Sequence, residues 1–430
     1  MRRFKLVWLA VAVVGLTLGL AACGGDDDDD GGEATLDLTI GDSVPLSGDL
    51  ADFGPPGEKA ADIAIDQINQ AIDEAGVDHT VNIVHEDNCG GADQQCAVQA
   101  ARKMVESDGA SCITGAWASA DTIPTSESVA IPEQILLISP ASTSDEITGL
   151  DDDGLINRTS PPDSFQGPTL SRFLVEEALG GAEGNTVNVG ARNDAYGTGL
   201  ADSFIEAWEA AGGEIGEEVV YDIKLPSYDT EAEQLVSGNP DGLVIVDFPE
   251  TYNKVGPALV RAGFDPESTF VTDGLISSEL AAGAGEEAVN GLTGTAPGVP
   301  DGDPSEEAFD QLFTEAEPRD VKRQTFDAQN FDAVVLCYLS AVAAGSTEGA
   351  DMAAEVREIS GPPGDEYTFE QLPDAIEALQ NGDDIDYQGP SGPIDMDDAG
   401  DATAGVYDLF EFSGGAPETT DEIEVTPPEE

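Results

Sequence analysis

The chain is 430 residues long and carries 87 Asp and Glu against 16 Lys and Arg, a formal net charge of −71 at pH 7. That balance excludes nucleic acid as a partner, because holding a polyanion needs Lys and Arg, and it argues against docking on anionic lipid headgroups. Two settings fit so acidic a chain: a high-salt medium, where screening relieves self-repulsion and hydrated carboxylates keep the surface soluble, or an acidic exported protein in ordinary salt.

Arg2, Arg3 and Lys5 precede an uncharged apolar run from Leu6 to Leu20. The run falls short of the ~20 residues of a comfortable membrane span. Leu20-Ala21-Ala22-Cys23 then places small residues before a cysteine, as at a lipoprotein cleavage site. Residues 1–22 are expected to be a cleaved signal peptide, with Cys23 the lipidated first residue. The mature protein is then extracytoplasmic, lipid-anchored to the outer face of the cell membrane. Residues 23–35, with Asp26 to Asp30 between glycines, read as an acidic flexible tether that cannot bury apolar area. Residues 414–430, rich in Pro, Thr and Glu, read as a disordered acidic tail.

From Leu36 short apolar runs alternate with helical periods. Leu36, Leu38 and Ile40 mark a strand. Glu58 to Glu74 is a helix with Ala61, Ile65, Ile68 and Ile72 along one face. Val81 to Val84 is a strand, Asp93 to Glu106 a helix, Ala110 to Thr114 a strand and Ile135 to Ile138 a buried strand. The polar, Pro-rich stretch Asn157 to Pro162 interrupts the pattern, which then restarts. Thr169 to Leu179 and Leu200 to Ala211 are helices around a strand Val187 to Ala191. Strands follow at Glu218 to Ile223, Leu243 to Val246 and Phe270-Val271, with a helix Tyr252 to Ala262. After a break at Ala296 to Pro300 come helices at Glu306 to Glu315, Phe326 to Ala344, Met352 to Ile359 and Leu372 to Gln380. A Gly/Pro-rich segment Gln388 to Gly400 leads to a last strand, Val406 to Phe412. The fold class is α/β: two lobes, each a mostly parallel sheet flanked by helices.

Cys89, Cys96, Cys112 and Cys337 remain once Cys23 is assigned to lipid, and an even number in an oxidising compartment allows three pairings. Cys89 and Cys96 flank a short Gly-rich turn and are the disulfide candidate. Cys112 and Cys337 either pair or stay as buried thiols. His79 and His85 are not spaced with these cysteines as metal ligands usually are, and no metal or cofactor is expected.

In open parallel sheets, ligands bind beyond the carboxyl ends of the strands. There the chain places Trp117 and Ser119 after one strand and Ala141, Ser142 and Thr143 after the next. Hydroxyls and backbone N–H groups in such turns suit a carboxylate. On the other half Tyr196, Phe248 and Asp273 follow strands, and an anion there suits an ammonium group. Each also has a bland reading, as a helix cap, a packing residue or a turn former.

Val44-Pro45-Leu46-Ser47-Gly48, Glu86-Asp87-Asn88-Cys89, Leu137 to Thr143, Asn193 to Leu200, Phe331-Asp332-Ala333 and Gly392-Pro393-Ile394 together resemble the branched-chain amino-acid (leucine/isoleucine/valine) binding proteins of ABC importers. The resemblance runs in order from Leu36 to Phe412. It implies a type I periplasmic-binding fold with three interdomain crossings, near Asn157–Ser160, Thr295–Gly298 and Ser391–Gly400. The N-terminal lobe is then 36–157 and 296–392, and the C-terminal lobe 158–295 and 393–413. It further implies that Ser119 with Ala141, Ser142 and Thr143 holds a ligand carboxylate. Asp273 meets the ammonium, Tyr196 faces it from the same lobe, and Phe53 and Phe248 are aromatic cleft positions. Three departures stand out. Trp117 is bulky for its place, Asp273 stands where the branched-chain binders carry Glu, and the family's disulfide partner for Cys89 falls on Ala118.

The function expected is an extracytoplasmic, monomeric solute-binding protein with an ABC permease as partner. Its ligand is a branched-chain or other amino acid, with an amide, urea, an aromatic acid or a sensory role as alternatives. An enzyme is not expected. The chain has no His-Glu-x-x-His helix, no Gly-x-Ser-x-Gly elbow and no phosphate loop, and only 2 histidines for acid–base work.

Overall fold

The computed structural model describes residues 35–300, 302–403 and 405–425. The expected signal peptide, the expected tether 23–35 except for Thr35, and residues 426–430 lie outside the described residues. β1 (Leu36–Val44), β2 (His79–Asp87), β3 (Cys112–Thr114), β4 (Leu136–Ser139) and β5 (Ile156–Arg158) form a five-stranded sheet in the order β2-β1-β3-β4-β5. Every pair in it is parallel. β6 (Thr186–Arg192), β7 (Glu214–Tyr221), β8 (Gly242–Val246), β9 (Thr269–Thr272) and β10 (Thr293–Gly298) repeat that order as β7-β6-β8-β9-β10, again parallel. A small sheet of β11 (Asp365–Thr368), β12 (Ile385–Gly389) and β13 (Gly392–Pro393) joins the first lobe. β14 (Gly405–Ser413) and β15 (Ala416–Val425) then extend the second sheet antiparallel beyond β10.

The strands form where they do because both faces of each sheet are covered. Such strands read as unbroken apolar runs, and all five residues of β8 are buried. The helices read by period. Gly54–Ala75 buries Ala60, Ala61, Ala64, Ile68 and Ile72 against the first sheet and stops at Gly76, whose φ of 72° closes the left-handed cap. Asp327–Ala344 is buried along nearly its whole length at the centre of the first lobe. Among the described residues no single helix is long and apolar enough to cross a membrane.

The stretch from Ala416 to Val425 corrects the expectation of a disordered tail: it pairs with β14 along its length. Only Ile423 on this strand is buried, so the edge strand has almost no apolar signature. Its acids face water, which is how edges resist pairing with other chains.

Cys89 and Cys96 are bridged, and so are Cys112 and Cys337. The second bridge ties β3 to the long buried helix across 225 residues of chain. Closing so long a loop constrains the unfolded chain strongly. Replacing both Cys112 and Cys337 by Ala is expected to lower stability by about 2–4 kcal/mol, read from the urea midpoint. An unchanged midpoint would show that the bridge adds nothing.

Candidate functional site

Both parallel sheets share the doubly wound order, and both reverse strand direction of winding between their first and third strands. A crevice opens at that switch point beyond the carboxyl ends. In the first lobe β1 runs into the loop carrying Leu50 and Phe53, β3 into Trp117 and Ser119, and β4 into Ala141. In the second, β6 runs into Tyr196, β8 into Phe248, and β9 into Asp273 and Gly274. These residues, with Phe326, line one cavity between the lobes.

The cavity is small. Its volume is about 20 Å3, little more than one water needs. Half of its ten lining residues are aromatic. Tyr196 stacks on Phe248 with centroids 4.8 Å apart and planes at 13°. The Trp117 indole, 2 % exposed, lies over Gly57 so closely that a Cβ there would sit 2.4 Å from Cζ2. Only glycine admits the ring at that distance. The indole Nε1 is buried without a partner.

Asp273 is the one charged group on the wall. The Tyr196 hydroxyl lies 2.9 Å from its Oδ1 and 2.8 Å from Thr272 Oγ1. Burial pushes the Asp273 carboxyl up to about 6, while the hydrogen bond from Tyr196 pulls the other way. A buried carboxylate with room beside it favours a cation in the cavity. Across from it, Ser119 Oγ accepts from the Ser144 N–H at 3.2 Å, which leaves its own proton to donate into the cavity.

Seven of the nine residues read from the sequence line the cavity: Phe53, Trp117, Ser119, Ala141, Tyr196, Phe248 and Asp273. Ser142 and Thr143 do not. The Ser142 hydroxyl is engaged with Thr122 Oγ1 at 2.7 Å and the Trp117 carbonyl at 3.1 Å, so it holds the turn together. Thr143 carries a buried hydroxyl without a partner and gives its carbonyl to the Asp163 N–H at 2.7 Å. Sequence reasoning missed Leu50, Gly274 and Phe326. Phe326 sits in the left-handed region at φ 75°, rare outside glycine, and no pattern in the sequence announces it.

The lobes also touch outside the cavity. Arg192, at the end of β6, is fully buried. Its Nη2 donates to Asp49 of the first lobe at 2.8 Å and its Nε to Asp194 at 2.5 Å. Asp247 lies 3.8 Å from Nη1, and the guanidinium rests 3.8 Å over the Phe248 ring. Burial lowers its pKa, but Asp194, Asp247 and Asp49 outweigh that and raise it. Burial in turn lifts Asp121 and Asp247 to about 7 each. On the other flank Ser277 Oγ donates to Asp52 at 2.8 Å. The loop from Gly48 to Phe53 thus bridges to the second lobe through both Asp49 and Asp52, and the lobes are closed.

A family model described as periplasmic binding protein matches residues 37–416. The leucine-, isoleucine-, valine-, threonine- and alanine-binding protein of Pseudomonas aeruginosa is 30% identical over 274 residues, 63% of this chain and 69% of the relative. A leucine-binding protein of Thermotoga maritima superposes with a TM-score of 0.71 at 22% identity, over 90% of this chain and 98% of its own. A solute-binding protein of an ABC transporter from R. palustris, solved with 4-hydroxybenzoate, gives 0.70 at 14% identity, over 91% and 98%. Both structures share the two-lobed α/β fold.

Proposed function

We propose, from the premise that the chain belongs to the periplasmic binding protein family, that it captures a small aliphatic α-amino acid between its lobes outside the cytoplasmic membrane and delivers it to an ABC importer. Lipid attachment through Cys23 would hold it beside the permease. The observation that carries this reading is the placement of Asp273. A single buried carboxylate on the second lobe faces a hydroxyl, Ser119, on the first. A zwitterion matches both ends at once, whereas an aromatic acid without an amine leaves Asp273 facing it unpaired. The P. aeruginosa relative takes its name from five α-amino acids, four of them aliphatic.

Since the ligand contacts both lobes, binding shifts the population toward the closed state. A thermal-shift screen of the mature protein against the amino acids, amides and benzoates identifies the ligand class. Small-angle scattering then reads closure as a smaller radius of gyration at saturation. An unchanged scattering curve with a ligand bound would count against the hinge, and a screen answered only by benzoates would count against the amino acid.

Trp117 narrows the side-chain end of the cavity. Trp117→Leu is expected to favour leucine over alanine by on the order of tenfold relative to wild type, since each extra buried methylene is worth ~0.8 kcal/mol. Calorimetric titration of both amino acids into both proteins checks it. An unaltered leucine-to-alanine ratio would show that the indole does not set ligand size.

A further inference from the structure

Behind the ligand cavity lies a buried group that the ligand cannot neutralise. Asp163 opens the helix Asp163–Phe173 just after the first crossing between the lobes, and it is 0 % exposed. Neither of its carboxylate oxygens has a hydrogen-bond partner. Burial raises its pKa well above the usual carboxylate range and the charge of Asp273 raises it further. The Thr143 hydroxyl is near enough to ease it down, but without a well-formed hydrogen bond. The guanidinium of Arg158 is committed elsewhere, to Asp401 at 2.6 Å, Thr148 at 2.7 Å and the carbonyls of Ser142 and Ser144 at 3.2 and 3.0 Å. One ligand ammonium answers Asp273, and Asp163 is left over.

The helix of Asp163, the Thr143 turn and two of the strands that helix packs on carry further buried oxygens. Thr143 Oγ1, Gln166 Oε1, Thr295 Oγ1 and Tyr407 Oη are all buried and unpartnered. Gln166 stands one turn after Asp163 on the same helix face and is pinned there by donating to the Thr295 carbonyl at 2.9 Å. Tyr407 stands opposite Pro297 in the register of β10 with β14, and its hydroxyl lies within the field of both Asp273 and Asp163. Three segments that join the lobes therefore meet here: the first crossing at Asp163, the end of β10 at Thr295 and the start of β14 at Tyr407. All the unpartnered atoms are oxygens, the donor type of hard cations. Among the described residues no three His, Cys, Asp or Glu side chains converge as a metal-binding set, so a site with one carboxylate and neutral oxygens suits a single positive charge.

We propose that an alkali cation, sodium or potassium, binds at Asp163 and ties the three crossing segments together. The ion takes the place of the proton that burial otherwise holds on this carboxyl.

The test uses the mature protein without ligand. Thermal midpoints are measured in choline chloride and in mixtures with sodium or potassium chloride at constant ionic strength and pH. A midpoint that rises saturably with the alkali ion is expected, and Asp163→Asn should abolish the rise. Wild-type crystals grown with thallium(I) in place of potassium should show an anomalous peak beside the Asp163 carboxylate, a result that stands even if the variant does not fold. Equal midpoints in choline and alkali chloride, a rise that persists in Asp163→Asn, or the absence of a thallium peak at Asp163 would each overturn the proposal.

Discussion

Asp273→Asn is expected to weaken binding of an α-amino acid by more than tenfold. The substitution keeps the shape of the side chain and its place beside the Tyr196 hydroxyl, which lies 2.9 Å from Oδ1, and removes only the charge. Truncating one partner of a buried, hydrogen-bonded charge pair costs ~2–5 kcal/mol, and the cavity offers the ammonium no other carboxylate on its wall. The same carboxyl predicts a pH dependence. Burial holds it near 6 in the ligand-free protein, against an ordinary value of about 3.9. It must be ionised to meet an ammonium, so affinity should be flat above about pH 6 and fall by about tenfold per unit below it. For the ligand-free fold the sign is reversed. The native state holds this proton more tightly than the unfolded chain, so its contribution to stability is full below about pH 4 and is lost as pH rises through about 6. In Asp273→Asn the acid limb of the affinity profile should disappear. Calorimetric titration between pH 4.5 and 8 reads both effects. Tight amino-acid binding that survives the substitution would place the ammonium elsewhere.

Arg192→Met should be the most damaging single change to the fold itself. The side chain is fully buried and, among the described residues, is the one cation that Asp49, Asp194 and Asp247 share. Methionine fills similar space but leaves these carboxylates facing one another. Breaking a buried ion pair from one side costs about 3–5 kcal/mol, read as a shift in the urea midpoint. Asp49→Asn separates the two roles of the cluster. It keeps Arg192 paired to Asp194 and Asp247 and loosens only the link between the lobes. Its stability should stay near wild type while ligand affinity falls through a less favoured closed state. A Met variant within 1 kcal/mol of wild type, about the cost of an average substitution, would show that the carboxylates are relieved by taking up protons instead.

The alternation of strand and helix was legible because parallel strands covered on both faces must be apolar throughout. Leu243 to Val246 announces itself for that reason. The order of both sheets follows from the doubly wound connection, and once the strands are placed their carboxyl ends locate Ser119, Tyr196, Phe248 and Asp273. What the sequence hides is what depends on partners far along the chain. β15 looks like a solvated acidic tail because an edge strand needs only its backbone and Ile423 to pair. Asp49 and Asp52 look like two more surface acids among 87, and nothing local says that one will meet Arg192 and the other Ser277. Ser142 has the same hydroxyl as Ser119 in an equivalent turn, yet it points back to Thr122. Composition cannot separate a hydroxyl that faces a ligand from one that ties a loop. Gly57 is likewise silent until the Trp117 ring is seen against it.

The central claim is that the closed cleft clamps a zwitterion by its two ends, the carboxylate on the Ser119 side and the ammonium on Asp273. The most direct measurement is calorimetric titration of the mature protein with valine, with isobutylamine, which lacks the carboxylate, and with 3-methylbutanoate, which lacks the ammonium. Valine should bind at one site per chain, and each analogue should bind at least tenfold more weakly, because each leaves one end of the clamp unpaired at ~2–5 kcal/mol. Binding of 3-methylbutanoate as tight as valine, or tighter, would contradict the account.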